Sequence, residues 1–165
     1  MHKTIRIIGI NPGTRYIGFA VFHSSGLMDW GVKNIEGKWS KKKIEMITSV
    51  ISDLIGHHKA SVLSIKALHP SRSSANLDKV VSRIKELSKR KRLRICQYSI
   101  DELESFFCPG EKINRRDLTE MVASKYPILS YELDRERTII NPYYVRMFEA
   151  VALGSICFRH LDRRK

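Results

Sequence analysis

The stretch Ile7 to Phe22, IIGINPGTRYIGFAVF, sets two apolar, β-branched runs on either side of a turn made of Asn11, Pro12, Gly13 and Thr14. Asn, Pro and Gly are turn formers, so the stretch is the opening hairpin of a β-sheet. Thr4 to Ile10 is rich in β-branched residues in a nearly continuous run, which suits a central buried strand. Tyr16 to His23 is the second strand, and Leu27 to Ile35 follows the polar turn HSSG as the third. The rest of the chain supplies the cover. Ser40 is a good N-cap, Ile44, Ile47, Ile51, Leu54 and Ile55 recur at helical spacing, and Gly56 marks the predicted end. Ala60 to Leu68 predicts a fourth strand and Leu93 to Ile100 a fifth. Between them, Ser74 to Arg90 is a helix with Leu77, Val80, Val81, Ile84 and Leu87 on one face. Asn114 to Lys125 and Tyr143 to Arg159 are the remaining long helices, joined by an irregular stretch containing Pro127 and Pro142.

The order β-β-β-α-β-α-β-α-α is an antiparallel three-strand meander followed by βαβ crossovers. It predicts an α/β fold with a five-stranded mixed sheet and helices on both faces. No repeat, low-complexity segment or linker divides the 165 residues, so a single domain is expected, its last few residues a basic tail. Charge narrows the partner. Thirty Lys and Arg against 17 Asp and Glu give a formal net charge of +13, which suits a polyanion, nucleic acid first. Cys96, Cys108 and Cys157 are widely spaced and odd in number, against a disulfide framework or a zinc knuckle. The sequence shows neither a signal-peptide pattern nor a membrane-length apolar run, so a cytoplasmic protein with no membrane partner is expected.

That element order is the ribonuclease H-like arrangement, in which the ends of the first and fourth strands and a late helix meet at one site. With it, the chain resembles the RuvC family of Holliday-junction endonucleases over nearly its whole length, including the last helix, YYVRMFEAVALGSICFRHL. The most specific piece is GINPGTRYIGFAV, similar to the family pattern D-P-G-[ST]-x-x-x-G-[YFW]-[AG]-V. Actin-like kinases and a ribosomal-RNA-processing nuclease family carry similar hairpins, but the kinases need two such domains. The resemblance implies DNA cleavage by two divalent metals held by four carboxylates. Two cations about 4 Å apart need several anionic oxygens to offset their charge. At the four corresponding positions this chain carries Asn11, Lys66, Arg146 and Glu149, leaving one carboxylate. A family-type two-metal site is therefore not expected, and no cofactor is expected unless Mg²⁺ or Mn²⁺ serves a rebuilt site.

Each of these residues also has an ordinary use. Asn11 suits an Asn-Pro turn, Lys66 can snorkel to solvent, and Arg146 with Glu149 makes an i,i+3 helix pair. Asp101 and Glu102 follow the fifth strand and are candidates to rebuild a metal site with Glu149, though Asp101 reads better as the cap of the helix DELESFF. His57 and His58 would point roughly 100° apart on a helix, against joint ligation. Cys157 and His160 share a helix face but lack two further ligands, and read as core and surface.

Basic residues cluster in KWSKKK (Lys38 to Lys43), KRKRLR (Lys89 to Arg94), KINRR (Lys112 to Arg116) and the C-terminal RHLDRRK. The resemblance implies that Lys112, Arg115 and Arg116 hold the scissile phosphate, helped by amides at their helix's start. It also places His69 where relatives carry an aromatic wedge. Lys66 and Arg146 are expected to make a phosphate site of the position where relatives hold metal. RuvC-like enzymes act as dimers through the second helix. Here that helix carries Lys79, Arg83, Lys85 and Glu86, which leaves a homodimer open. The leading expectation is a protein that binds branched or duplex nucleic acid, DNA over RNA, without metal-dependent hydrolysis. The alternatives are an active junction-resolving endonuclease with a rebuilt acidic site, or a protein-interaction module.

Overall fold

The computed structural model describes residues 4–138 and 143–163. Five strands form one mixed sheet: β1 (Arg6–Asn11), β2 (Tyr16–His23), β3 (Gly26–Asn34), β4 (Val62–Lys66) and β5 (Arg94–Tyr98), in spatial order β3-β2-β1-β4-β5. The meander β1-β2-β3 is antiparallel, whereas β4 and β5 run parallel to β1. The helices are α1 (Lys41–His58), α2 (Ala75–Arg90), α3 (Ile100–Phe107), α4 (Arg115–Lys125), α5 (Ser130–Thr138) and α6 (Tyr143–Arg163). Short 3₁₀ turns occupy Pro70–Arg72 and Pro127–Leu129.

The period-2 alternation of strands divides β1 between two cores. Ile8 and Ile10 join Leu63, Ile65 and the apolar faces of α1 and α2 in one cluster. Ile7 points to the other face, where Phe22 and Val62 pack with α3, α4 and above all α6. On that face Gly9 replaces a side chain, because a Cβ there would run into the Ala150 carbonyl of α6. Gly18 does the same against the Arg146 carbonyl, so the α6 backbone lies directly on β1 and β2. Helices on both faces of a five-stranded mixed sheet are what the sequence pattern predicts.

Several details differ from the sequence expectations. α1 runs past Gly56 to His58, and Lys59 takes the left-handed cap position at φ 52°, its N–H donating to the Gly56 carbonyl. The fourth strand is trimmed to Val62–Lys66 and the fifth to Arg94–Tyr98. α3 is capped by Ser99, not Asp101: Ser99 Oγ accepts from the Glu102 N–H and Glu102 Oε1 accepts from the Ser99 N–H, a reciprocal capping box. Helix α5 fills part of the stretch expected to be irregular, and Pro142 lies outside the described residues. α6 continues to Arg163 rather than ending at Arg159, so most of the supposed basic tail is helix. Arg164 and Lys165 lie outside the described residues. The apolar face of α2 (Val80, Val81, Ile84, Leu87) is spent inside the chain. No described helix is long and apolar enough to cross a membrane.

Candidate functional site

β1 and β4 are parallel neighbours whose last paired residues are Ile10 and Ile65, so Asn11 and Lys66 follow side by side. Alternation turns both toward α6, the face to which Gly9 and Ser64 also point; Ser64 Oγ donates to the Leu153 carbonyl of that helix. Glu149 lies one turn earlier on α6 and is 3% exposed. The sequence positions that the resemblance brought together therefore do meet in space.

Glu149 is the hub. Its Oε2 accepts from Asn11 Nδ2 at 2.6 Å and pairs with Lys66 Nζ at 2.8 Å. Asn11 is itself buried at 4% exposure, and its Nδ2 also reaches the Arg146 carbonyl at 3.4 Å. The other oxygen, Oε1, has Arg115 Nε 3.5 Å away, close enough for charge attraction but without hydrogen-bond geometry, so it is a buried acceptor lacking a hydrogen bond. An unsatisfied buried acceptor costs about 1–3 kcal/mol. One side of the carboxylate is thus tied down, while the other turns toward a half-exposed arginine that any incoming group would meet.

Arg146 does not pair with Glu149, against the i,i+3 expectation. Its guanidinium donates to the Pro12 carbonyl at 3.3 Å and lies over Gly13, where a Cβ would collide with it, and its Nε is buried without a hydrogen bond. Burial lowers the Arg146 pKa; the Glu149 charge raises it and the Arg115 charge lowers it again. Guanidinium groups stay protonated under such pressure, so the residue remains a cation. Three cations, Lys66, Arg115 and Arg146, thus surround one carboxylate.

The remaining candidates divide. Lys112 and Arg115, both exposed, stand close enough to Glu104 to lower its pKa by their charge. Arg116 points away, 75% exposed and 4.0 Å from Glu120 one turn on. The start of α4 is already occupied by Asn114 and Asp117, each side chain accepting from the other's backbone N–H at 2.9 and 3.2 Å. The amides expected to face a phosphate there are partly spent. His69 is exposed and caps the 3₁₀ turn, its Nδ1 accepting from the Ser71 N–H at 3.2 Å. In the KWSKKK cluster, Lys43 is buried and its ammonium donates to the Gly37 carbonyl at 2.8 Å. His58 pairs with Asp29 at 3.0 Å, and Cys157 is buried. His160 Nδ1 lies 3.2 Å from the Tyr98 hydroxyl, and among the described residues no group of three or more His, Cys, Asp or Glu is placed to hold a metal.

Glu104 is the residue that sequence reasoning missed. Burial raises its pKa, and the charges of Asp101 and Glu149 push it the same way. It sits on α3, an element whose approach to α6 no sequence spacing reveals.

No protein-family model matches the sequence, and no curated protein matches it significantly. Solved structures do. The chain is similar to RuvC of Thermus thermophilus, at TM-score 0.74 and 11% identity over 96% of this chain and 97% of that one. The same protein in complex with a Holliday junction substrate superposes at TM-score 0.72 and 12% identity, covering 96% of each chain. The yeast mitochondrial Holliday junction resolvase superposes at TM-score 0.68 and 12% identity over 99% of this chain and 82% of that one. With its five-stranded mixed sheet and near-complete coverage, the chain has the RuvC-like, ribonuclease H-like fold.

Proposed function

We propose that this chain binds nucleic acid, branched or duplex DNA in preference to RNA, at the end of β1 and β4, and that it does so without metal-dependent hydrolysis. The observation that carries this reading is the Lys66 ammonium fixed 2.8 Å from the buried Glu149 carboxylate. A two-metal centre needs several anionic oxygens around two cations. The donor set at the site is one carboxylate, one amide and three cations, and it does not fit such a centre. It fits an anion. Arg115 is half exposed and only loosely paired, Lys112 is exposed beside it, and both can take phosphate oxygens while Lys66 and Arg146 supply fixed positive potential behind them. The similarity to structures of junction resolvases supports the same ligand class.

The test is a four-way DNA junction titrated by fluorescence anisotropy in EDTA over a salt series. Phosphate neutralisation predicts binding that survives chelation and falls steeply with salt through counterion release. Lys66→Glu and Arg115→Glu weaken it. Affinity abolished by EDTA, or unchanged in Lys66→Glu, overturns the reading.

One observation favours a second reading, an active endonuclease. The charge of Glu149 reaches Glu104 and helps raise its pKa, so Glu104 is the carboxylate that a rebuilt acidic site with Glu149 would use. Its prediction is opposite: Mn²⁺-dependent nicking lost in both Glu104→Gln and Glu149→Gln.

A further inference from the structure

Away from the Glu149 network, the described surface carries one aromatic residue that folding leaves in water. Tyr131, on the first turn of α5, is 65% exposed, more than any other large apolar residue described. The Arg135 guanidinium lies over its ring, 5.5 Å from the centroid, and Arg135 NH1 donates to the Tyr131 hydroxyl at 2.7 Å. By itself this would be an ordinary i,i+4 pair on a solvated helix. A second ring changes its meaning: Tyr144, on the first turn of α6, stands 5.9 Å from the same guanidinium. Two aromatic rings from different helices thus converge on one planar cation.

The position of this group is held by packing. Trp30 Nε1 of β3 donates to Glu132 Oε1 at 3.1 Å, which pins α5 to the sheet beside Tyr131. Tyr144 precedes Arg146 by two residues and Glu149 by five on α6, so it lies about 7–8 Å from Glu149 along the helix axis and about 140° around it.

We propose that Tyr131, Arg135 and Tyr144 form a stacking platform for an unpaired nucleobase, with Tyr144 on the same helix, α6, that carries Arg146 and Glu149. The inference rests on the nucleic-acid reading above and refines its ligand to one with a single-stranded nucleotide adjoining duplex, such as a gap, overhang or opened branch point. Aromatic and guanidinium planes stack on the faces of any base without reading its sequence, and Watson–Crick-paired bases inside a duplex are not available to them. The platform therefore selects for unpaired structure.

The experiment uses the full chain and two probes in EDTA, a blunt DNA duplex and the same duplex with a three-nucleotide gap, titrated by anisotropy. The wild type binds the gapped probe more tightly. Tyr131→Ala loses about 5- to 150-fold on the gapped probe, the range of base–aromatic stacking, and changes little on the blunt one. Its salt slope stays that of the wild type, because no phosphate contact is removed. Tyr131→Trp keeps the preference, and a thermal melt shows that both exposed-site variants fold. Lys66→Glu weakens both probes together. Tyr131→Ala matching the wild type on the gapped probe, or losing equally on both, overturns the platform while leaving the cationic site standing. A wild type that binds neither probe overturns the nucleic-acid reading and the platform with it.

Discussion

Replacing Lys66 by Met keeps the aliphatic stem and removes the ammonium 2.8 Å from Glu149 Oε2. The cost follows from where the two side chains lie, 16% exposed for Lys66 and 4% for Glu149. Removing one partner of a buried pair costs about 3–5 kcal/mol, because the other charge is stranded. Here the stranded carboxylate keeps the 2.6 Å bond from Asn11 and the Arg115 charge at 3.5 Å, which lowers the figure to about 2–3 kcal/mol. For a chain of this size that is a fall in Tm of roughly 4–12 °C. The reverse change, Glu149→Gln, is milder at about 1 kcal/mol, since Lys66 sits nearer the surface and can turn to water. The double variant Lys66→Met/Glu149→Gln recovers most of the loss. Urea unfolding of the four proteins at pH 7 measures the coupling directly, expected at about 1.5 kcal/mol or more. A Lys66→Met variant within about 0.5 kcal/mol of the wild type, or a Glu149→Gln variant equally damaged, refutes the argument that Glu149 is the buried, dependent member.

Other consequences can be checked on the same preparations. Glu104 has a raised pKa, so the folded protein holds its proton more tightly than the unfolded chain, and this group costs stability as pH rises through the upper carboxylate range. Glu104→Gln therefore melts higher than the wild type at pH 7, and the gain vanishes in acid, below the ordinary carboxylate range. Gly13→Ala puts a methyl group against the Tyr16 carbonyl and the Arg146 guanidinium, and should cost about 1–3 kcal/mol by urea unfolding while also weakening junction affinity. Asn11→Asp alone places a second carboxylate 2.6 Å from Glu149 and lowers Tm at pH 7. The triple variant Asn11→Asp/Lys66→Glu/Arg146→Asp restores four carboxylates, and gains Mn²⁺ binding by calorimetry that the wild type lacks.

The strand order was legible because its signals are local and redundant. β-Branched runs mark β1 and β2, and serine or asparagine N-caps at Ser40, Ser74 and Asn114 each accept a backbone N–H in the structure. The meeting of Asn11, Lys66 and Glu149 was legible for a different reason: parallel strands β1 and β4 bring their ends together, and the resemblance names the helix that covers them. What escaped was set by tertiary geometry. The i,i+3 spacing of Arg146 and Glu149 says they share a face, but the guanidinium follows the space left by Gly13 to the Pro12 carbonyl. Lys59 takes a left-handed cap that propensity would give to glycine. α5 is polar along its length, SYELDRERT, and has no apolar stripe to announce it. The capping box at Ser99 and Glu102 was readable as the S-x-x-E pattern, and with Glu102 held there the proposed rebuilding of a metal site at this corner loses one of its two acids.

The most direct test of the central claim is a nicking assay on a labelled four-way junction in Mn²⁺, resolved on a denaturing gel, with Glu149→Gln purified in parallel. The expected result is no nicks from a preparation that still shifts the junction on a native gel in EDTA. Nicks from the wild type that disappear in Glu149→Gln would contradict it, and would make Glu149 the ligand of a working metal site.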